Sequence, residues 1–473
     1  MSKTEINKSY FDNLAKTRIK YRKSKSYYWN SITKYCDYFC HSESSVLEIG
    51  CGTGELIYNI KGSKKVGIDF SENMISEAKK QFPDANFRLM DAENILINEK
   101  FDVIILSNLI GYLGDIQTVF DQLKKVSHER TKIFISYYNS LWEPIINFAE
   151  LIGIKKRSPK QNWLSGKDIK NLLYLSGYET YRQTKKMLIP YNIPLLSWLF
   201  NRVLANLPFV NRLCINRYLF ARQLPNSEDV SEKYSVSVVI PARNESGNIE
   251  NAILRMPSFS KHLEIIFIEG NSTDDTWNKI QEIKEKYSST HDIKIDRQSG
   301  KGKGDAVRKG YSFAKGDILM ILDADLTVPP ETLPKFYDAL ASGKGDFING
   351  TRLIYPMEKH AMRFLNMIGN KLFGIGFSWM LEQPIKDTLC GTKVMFKEDY
   401  IRLTQNRSFF GDFDPFGDFD LIFGAYKLNL KIIDLPIRYM ERTYGDTNIS
   451  RFKHGFLLIK MWLFAAGKIK FYH

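Results

Sequence analysis

Short apolar runs recur along the chain, each closed by a glycine, an acid or a proline. Val46-Leu47-Glu48-Ile49 runs into Gly50-Cys51-Gly52-Thr53-Gly54, after which Glu55-Leu56-Ile57-Tyr58 begins a helix. Lys65-Val66-Gly67-Ile68-Asp69 is a second run, ending in an acid. Phe87 to Asp91-Ala92 is a third, Phe101 to Asn108 a fourth and Lys132 to Ser136 a fifth. Runs of this length between helical stretches predict buried strands. Trp163 to Asp168 opens a helix that Gly177 ends, and strands are expected near Tyr178–Leu188 and Arg217–Ala221.

The polar stretch LPNSEDVSEK, residues 224–233, interrupts the pattern. It places a boundary between a domain over residues 1–224 and another over 234–473, with 225–233 as linker. The second half opens with the strand Ser235 to Ile240, which leads into Pro241-Ala242-Arg243-Asn244-Glu245. Leu263 to Ile268 enters the acid-rich loop Glu269 to Thr276. Lys301-Gly302-Lys303-Gly304 is a cationic loop before a helix, suited to phosphates or simply an exposed turn.

Ile318 to Leu322 follows, ends in Asp323-Ala324-Asp325, and is stopped by Pro329-Pro330. Residues i and i+2 of an extended chain point the same way. Both carboxylates are thus expected at the carboxyl end of a buried strand, where open α/β sheets bind ligands. Two neighbouring carboxylates repel unless a cation joins them, and Mg²⁺ or Mn²⁺ takes carboxylates together with substrate phosphates. The pattern predicts a metal–diphosphate site; the competing reading is a solvated acidic turn.

Three longer apolar stretches differ from the strands. Residues 189–213 mix Leu195, Trp198, Phe200 and Phe209 with Arg202 and Arg212, the composition of a helix lying in a bilayer interface or buried against its own domain. Residues 364–381 and 454–471 are apolar with flanking or embedded lysines, and are expected as amphipathic helices at a membrane surface. No uninterrupted apolar run reaches the ~20 residues of a spanning helix.

Composition narrows the picture only a little. The 473 residues are 44% apolar and 25% charged, as in globular proteins with sizeable cores. The net charge is +14, and between Leu151 and Gln223 stand 13 lysines and arginines against two acids. Such a surplus attracts nucleic acid, anionic lipid or phosphorylated substrates. Its mixture with Leu and Trp favours lipid, so no nucleic-acid partner is expected. The five cysteines show no zinc or disulfide spacing. The polar N-terminus leads to the expectation of a cytoplasmic protein, peripheral on the inner face of the cell membrane.

The strand, glycine loop, helix and two acid-ended strands over about residues 45–140 resemble a class I S-adenosylmethionine-dependent methyltransferase, with its Rossmann-like sheet. The resemblance implies that Glu48, Gly50, Gly52 and Gly54 line the methionine half of the cofactor. By the same resemblance Asp69 holds the ribose, Asp91 and Ala92 sit at the adenine, and Asn108 stands near the transferred methyl. The second half, about residues 235–455, resembles a family 2 glycosyltransferase of the GT-A fold, in its dolichol-phosphate mannose synthase-like branch. That likeness implies that Pro241, Arg243, Glu245 and Glu269 hold the nucleoside and that Lys303 lies near its phosphates. Asp323 and Asp325 would carry Mg²⁺ or Mn²⁺, and Arg352 would lie near the acceptor. Asp387 to Lys393 looks like the family's Asp-x-x-x-Gly segment, and Gly417-Asp418-Phe419-Asp420 like its late acidic motif. Arg442 to Asn448 is similar to the loop that folds over the donor. Glu269-Gly270 departs from the commoner pair of aspartates. Asn448 stands where a lysine is common, so by the resemblance Arg451 or Lys453 would supply that phosphate contact.

The expectation is an α/β protein of two parts. One transfers methyl from S-adenosylmethionine to a glycan, lipid-linked or related acceptor. The other transfers a sugar, with inversion, from a nucleotide-diphosphate sugar to a polyprenyl-phosphate or lipid-linked acceptor. An anionic lipid phosphate needs Arg352 but no strong base; a sugar hydroxyl needs a base, with Asp418 or Asp420 as candidates. Two alternatives stand beside this. One is a glycosyltransferase with a scaffolding methyltransferase-like half; the other is a basic, nucleic-acid-modifying methyltransferase.

Overall fold

The computed structural model describes residues 3–471 apart from 154–157, 226–229, 231, 356–363, 406–417, 443 and 445–450. The side chains of Asp418 and Arg451, and all of Asn448, lie outside the described residues. The chain forms two compact units, residues 1–224 with 470–473 and residues 225–469.

The first unit holds β1 (Ser45–Ile49), β2 (Lys64–Asp69), β3 (Asn86–Leu89), β4 (Phe101–Ser107), β5 (Ser127–Tyr138), β6 (Tyr178–Lys186) and β7 (Asn216–Gln223). They make one sheet in the order β3-β2-β1-β4-β5-β7-β6. The first five are parallel, and β7 runs antiparallel between β5 and β6. Leu47, Ile49, Ile104, Leu106, Ile133 and Ile135 are buried on the sheet. Helix Ile116–Val126 covers them with Ile116, Val119, Phe120, Leu123 and Val126, one helical face by spacing. Asp115 caps this helix by accepting the Thr118 N–H at 3.0 Å.

The order reverses between β1 and β4, which opens a crevice at the carboxyl ends of these strands. The glycine turn after β1 and the acid at the end of β2 stand at that crevice.

Residues 189–213 do not form the single helix expected. They run as short turns of helix, Leu196–Trp198, Leu199–Val203, Leu204–Asn206 and Val210–Leu213. Pro190, Pro194 and Pro208 break the ladder. Asn201 Oδ1 accepts the N–H groups of Leu188 (2.7 Å) and Ile189 (3.0 Å), which pins the segment back on its own start.

The second unit holds β8 (Val236–Ala242), β9 (Leu263–Glu269), β10 (Asp292–Arg297), β11 (Ile318–Ile321), β12 (Phe347–Thr351), β13 (Lys393–Phe396) and β14 (Ile432–Pro436). Its sheet order is β10-β9-β8-β11-β13-β12-β14. β8 to β11 are parallel, and β13 is antiparallel to both β11 and β12. Ile318 to Leu322 is fully buried, as the apolar run required. Again the order reverses beside the central strands, here at β8 and β11.

The stretches at 364–381 and 454–471 are helical, over Phe364–Leu381 and Arg451–Lys470. Leu372 and Ile375 on the first, and Phe456 and Leu463 on the second, are exposed. Among the described residues, no helix is long and apolar enough to cross a membrane.

Candidate active sites

In the first unit a cavity of about 600 Å³ lies over the strand ends, within the size range of small-molecule sites. Gly50, Gly52, Asp69, Asp91, Ala92 and Asn108 all line it. Glu48 and Gly54 are outside that lining.

Asp69 is buried at the end of β2. Its Oδ2 accepts the Gly52 N–H at 2.8 Å and its Oδ1 accepts the Ser71 N–H at 3.0 Å. Burial raises its pKa, against these two amides and the charge of Arg18. Gly52 has φ +55°, a left-handed conformation that costs glycine little. Asn108 Nδ2 donates to Tyr28 Oη (3.0 Å), and that hydroxyl donates to Asn216 Oδ1 (3.0 Å).

Glu48 points away from the cavity, under the glycine turn. Its Oε2 accepts the Ile57 N–H at 3.1 Å. Burial pushes its carboxyl up to about 8, against the pull of Arg22. The folded chain therefore binds a proton here that the unfolded chain releases above about pH 4.5. Stability from this group falls as pH rises from the unfolded value toward 8, then levels. Glu48→Gln should flatten that slope: its thermal midpoint should lose less than wild type between pH 5 and about pH 8. An unchanged pH profile of the midpoint would show that the proton is held elsewhere.

The N-terminal helix Lys3–Ser24 forms one wall of the cavity, through Tyr10, Phe11, Leu14 and Arg18. Phe11 meets Phe70 and Tyr112 edge-on, at 6.1 and 5.0 Å between ring centres. Asn7 Nδ2 donates to the Tyr112 carbonyl at 2.6 Å. Arg18 Nε is buried without a hydrogen-bond partner, and a Cβ on Gly52 would stand 3.2 Å from it. A half-buried arginine with its Nε shielded from water beside a glycine turn suits a carboxylate, and the nearby Asp69 suits hydroxyl groups. The donors present thus fit an amino-acid nucleoside such as S-adenosylmethionine. The arginine gives no signal in the sequence, because only the fold brings it to Gly52.

In the second unit the loops after β8, β9 and β11 meet. Glu245 N–H donates to Thr276 Oγ1 (2.9 Å), and Thr273 N–H to Asn244 Oδ1 (2.8 Å), which ties the first two loops together. Asp323 pairs with Lys303 Nζ at 2.6 Å. Asp325 Oδ2 accepts from Arg442 Nη2 at 2.7 Å, and the other arm, Nη1, reaches Glu245 Oε1, also at 2.7 Å. Thr327 Oγ1 donates to Asp325 Oδ1 at 2.8 Å and fixes that carboxyl's rotamer.

Burial alone would raise the pKa of Asp323, but Lys303, with Arg352 and Lys393 farther off, outweighs it and holds the carboxyl below its usual range. For Glu245 burial wins over Arg442, and the carboxyl is pushed up to about 7. Gly391 packs on the Asp323–Lys303 pair so closely that a Cβ would lie 2.1 Å from both. That explains a glycine at the end of the Asp387 to Gly391 segment.

Arg352, expected near the acceptor, is tied into the fold. Its Nε and Nη2 bind Asp387 at 2.7 and 2.9 Å, and Asp387 is fully buried. Lys393 is buried too, with Nζ bonded to Asn349 Oδ1 (3.0 Å) and to the Cys390 carbonyl. Pro241 lies within the end of β8, and Arg243 is exposed beyond it. Glu269 ends β9, accepts the Ser272 N–H and faces Arg297 at 3.7 Å. Gly270 fills the second place of the departure noted above. A Cβ there would stand 3.1 Å from that of Arg243, so a side chain would crowd the arginine. Asp420 is buried on helix Asp418–Lys427. Tyr444, which sequence reasoning did not single out, bonds Ser246 Oγ at 2.8 Å and closes over Gly247.

Among the described residues no group of three or more His, Cys, Asp or Glu forms a closed metal cage. Two carboxylates at one strand end fit instead a Mg²⁺ or Mn²⁺ that completes its coordination with phosphate oxygens and water. Lys303 and Arg442, now holding those carboxylates, are the kind of cations a diphosphate attracts.

The Methyltransferase domain model matches residues 40–177 and the Glycosyl transferase family 2 model matches residues 237–409. A dolichol-phosphate mannosyltransferase of Pyrococcus furiosus is 38% identical over 221 residues, 45% of this chain and 59% of the relative. Glycosyltransferase AglJ of Haloferax volcanii is 28% identical over 225 residues, 47% of this chain and 68% of the relative. The match thus spans little more than half of the Pyrococcus relative. Among solved structures, a Thermotoga maritima S-adenosylmethionine-dependent methyltransferase, described as a possible histamine N-methyltransferase, is similar over 45% of this chain and 97% of its own. It is 14% identical, with TM-score 0.35. The first part of the chain thus matches a methyltransferase model and the second a family 2 glycosyltransferase model.

Proposed function

We propose that the chain is a bifunctional, membrane-associated enzyme, with a methyltransferase over residues 1–224, a linker over 225–233 and a glycosyltransferase over 234–473. The second domain transfers a sugar with inversion from a nucleotide-diphosphate sugar to a polyprenyl-phosphate or lipid-linked acceptor, on the cytoplasmic membrane face. The first transfers methyl from S-adenosylmethionine to a glycan, lipid-linked or related acceptor.

One observation carries the sugar-transfer reading. Asp323 and Asp325, at the end of a buried strand, are each gripped by a cation that can turn to phosphate, Lys303 and Arg442. A divalent ion held by the two acids would neutralise charge on the departing nucleoside diphosphate. Lys303 and Arg442 would take the phosphate oxygens. Glu245, freed from Arg442, would turn to the nucleoside. The Arg352–Asp387 pair would hold the β12 end rigid and add positive potential beside the acceptor. Relatives acting on dolichol phosphate support an acceptor oxygen already anionic at pH 7, for which no base is required.

In the methyltransferase cavity Asp69 would bind ribose hydroxyls, Asp91 and Ala92 would flank the base, and Arg18 would hold the carboxylate. Bound S-adenosylmethionine supplies an activated methyl, and the residues around it serve to position the acceptor. Asp69→Ala should weaken S-adenosylmethionine binding about ten- to a hundred-fold, the worth of one to two bonds to a charged acceptor. Calorimetry reads this directly, and equal affinity would defeat the assignment.

The test of the whole reading is mass spectrometry of lipid products after incubation with a panel of nucleotide sugars and labelled methyl donor. A glycosylated lipid and a labelled methyl product are expected. Sugar transfer without any methyl product would leave the first domain as a scaffold, and neither product would overturn the proposal.

A further inference from the structure

The methyltransferase cavity has two unlike halves. Gly52, Asp69 and Asp91 bound one; Tyr138, Trp142, Ile146, Trp163 and Tyr191 bound the other. Helix Glu143–Leu151 turns Ile146 and Ala149 to the cavity, yet its opposite side is also apolar. There Ile145, Phe148 and Leu151 are 57, 60 and 72% exposed. The helix's polar residues, Glu143, Asn147 and Glu150, gather by spacing on one edge between these two sides, so most of the face turned to water is apolar, unlike that of an ordinary solvated helix.

The segment after β6 behaves alike. Pro190 and Tyr191 line the cavity, while Leu195 and Phe209 are 83 and 75% exposed. The two elements are fastened together: Trp142 Nε1 donates to the Leu213 carbonyl at 2.9 Å, and Asn139 Nδ2 to the Arg212 carbonyl at 2.9 Å. They form one apolar shelf beside the cavity. Large apolar side chains exposed on two elements fastened together mark a candidate interaction surface.

Charge says what covers it. Arg217 Nη2 donates to the Arg212 carbonyl at 2.8 Å, and Lys185 Nζ to Asn211 Oδ1 at 3.3 Å, so three cations gather at the shelf's base. Burial, then Arg217 and Arg212, lower the Lys185 pKa, with Cys214 opposing them. Cations crowded this way favour an anion between them. Apolar side chains over a cationic base match an anionic bilayer, with acyl chains against the shelf and headgroups on the cations.

We infer that helix Glu143–Leu151, the 190–213 segment and the Lys185–Arg212–Arg217 cluster dock the methyltransferase domain on an anionic bilayer, so that its methyl acceptor is a membrane-borne molecule entering the aromatic half of the cavity. The part concerning the acceptor rests on the methyltransferase reading proposed above. In the transfer a lone pair of the acceptor's oxygen or nitrogen bonds the methyl carbon as the carbon–sulfur bond breaks. The electron pair stays on sulfur, giving S-adenosylhomocysteine, and the acceptor's proton passes to solvent.

The experiment uses the full chain with phosphatidylcholine vesicles, with and without phosphatidylglycerol. Wild type should co-sediment with the anionic vesicles and be released by salt. The triple variant Phe148→Glu, Leu195→Glu, Phe209→Glu should partition at least about ten-fold more weakly, and Lys185→Gln with Arg212→Gln should remove the preference for phosphatidylglycerol. None of these residues lines the cavity, so calorimetric S-adenosylmethionine affinity should stay at the wild-type value. Triple-variant sedimentation equal to wild type would overturn the dock. Labelled methyl found only in water-soluble products would overturn the membrane-borne acceptor. Wild type that binds no S-adenosylmethionine would instead sink the methyltransferase reading, while sedimentation still decides the dock.

Discussion

Asp325→Ala should lower nucleotide-sugar turnover by at least on the order of a hundred-fold, with little change in the thermal midpoint. The carboxyl does two things in the structure. It holds Arg442, whose other arm is on Glu245, and it accepts from Thr327 within its own turn. Alanine leaves the strand and the turn backbone as they are and takes away one of two acids available to a divalent ion. Arg442 then loses this carboxylate and keeps its bond to Glu245, the carboxyl pushed up to about 7 by burial, so the arginine would no longer be held where the proposed phosphates would meet it. The stability cost is small because the Arg442 side chain keeps 22% of its surface in water. Steady-state assay of nucleoside diphosphate release decides the matter, and near-wild-type turnover in a folded Asp325→Ala protein would refute the role.

Arg352→Met should be the most destabilising single change among the site residues, by about 3–5 kcal/mol, because it leaves a buried carboxylate without its cation. Asp387 is fully buried and takes three donors from one residue: Arg352 Nε, Nη2 and main-chain N–H, the last at 3.1 Å. The pair raises the Arg352 pKa and lowers that of Asp387, each against the opposing effect of burial. Removing both charges relieves the problem that removing one creates. The double variant Arg352→Met, Asp387→Leu should therefore recover a large part of the lost stability while sugar transfer stays impaired. Urea unfolding of the single and double variants measures the coupling. Equal stability of Arg352→Met and wild type would mean that the pair contributes nothing to the fold.

Much of this architecture could be read from the sequence because its signals are local. A short apolar run that stops at Asp323-Ala324-Asp325 before two prolines reads as a buried strand with acids at its tip, and Ile318 to Leu322 is indeed buried with the acids just beyond it. The glycine turn between β1 and helix Glu55–Asn59, and the acid at the end of β2, were equally plain. What escaped was set by distant contacts. Arg18 comes from a mostly polar helix whose place is fixed by Phe11 against Phe70 and Tyr112. The 189–213 stretch has the composition of an interfacial helix, but its prolines and the Asn201 side chain fold it into turns. Glu48 has the motif position of a cofactor contact, yet strand alternation turns it beneath the glycines toward the Ile57 amide. Arg352, expected near the acceptor, and Lys393, expected at the substrate, instead pair with Asp387 and Asn349 inside the fold.

The central claim is that Asp323 and Asp325 take a nucleoside diphosphate through a divalent ion. Calorimetric titration of UDP and GDP into the full chain, with and without Mn²⁺, tests it most directly. At least one nucleotide should bind in the presence of the ion, weaken strongly when it is chelated, and lose that dependence in Asp323→Asn. Binding that is equally tight without the ion, or that ignores the Asp323→Asn change, would contradict the account.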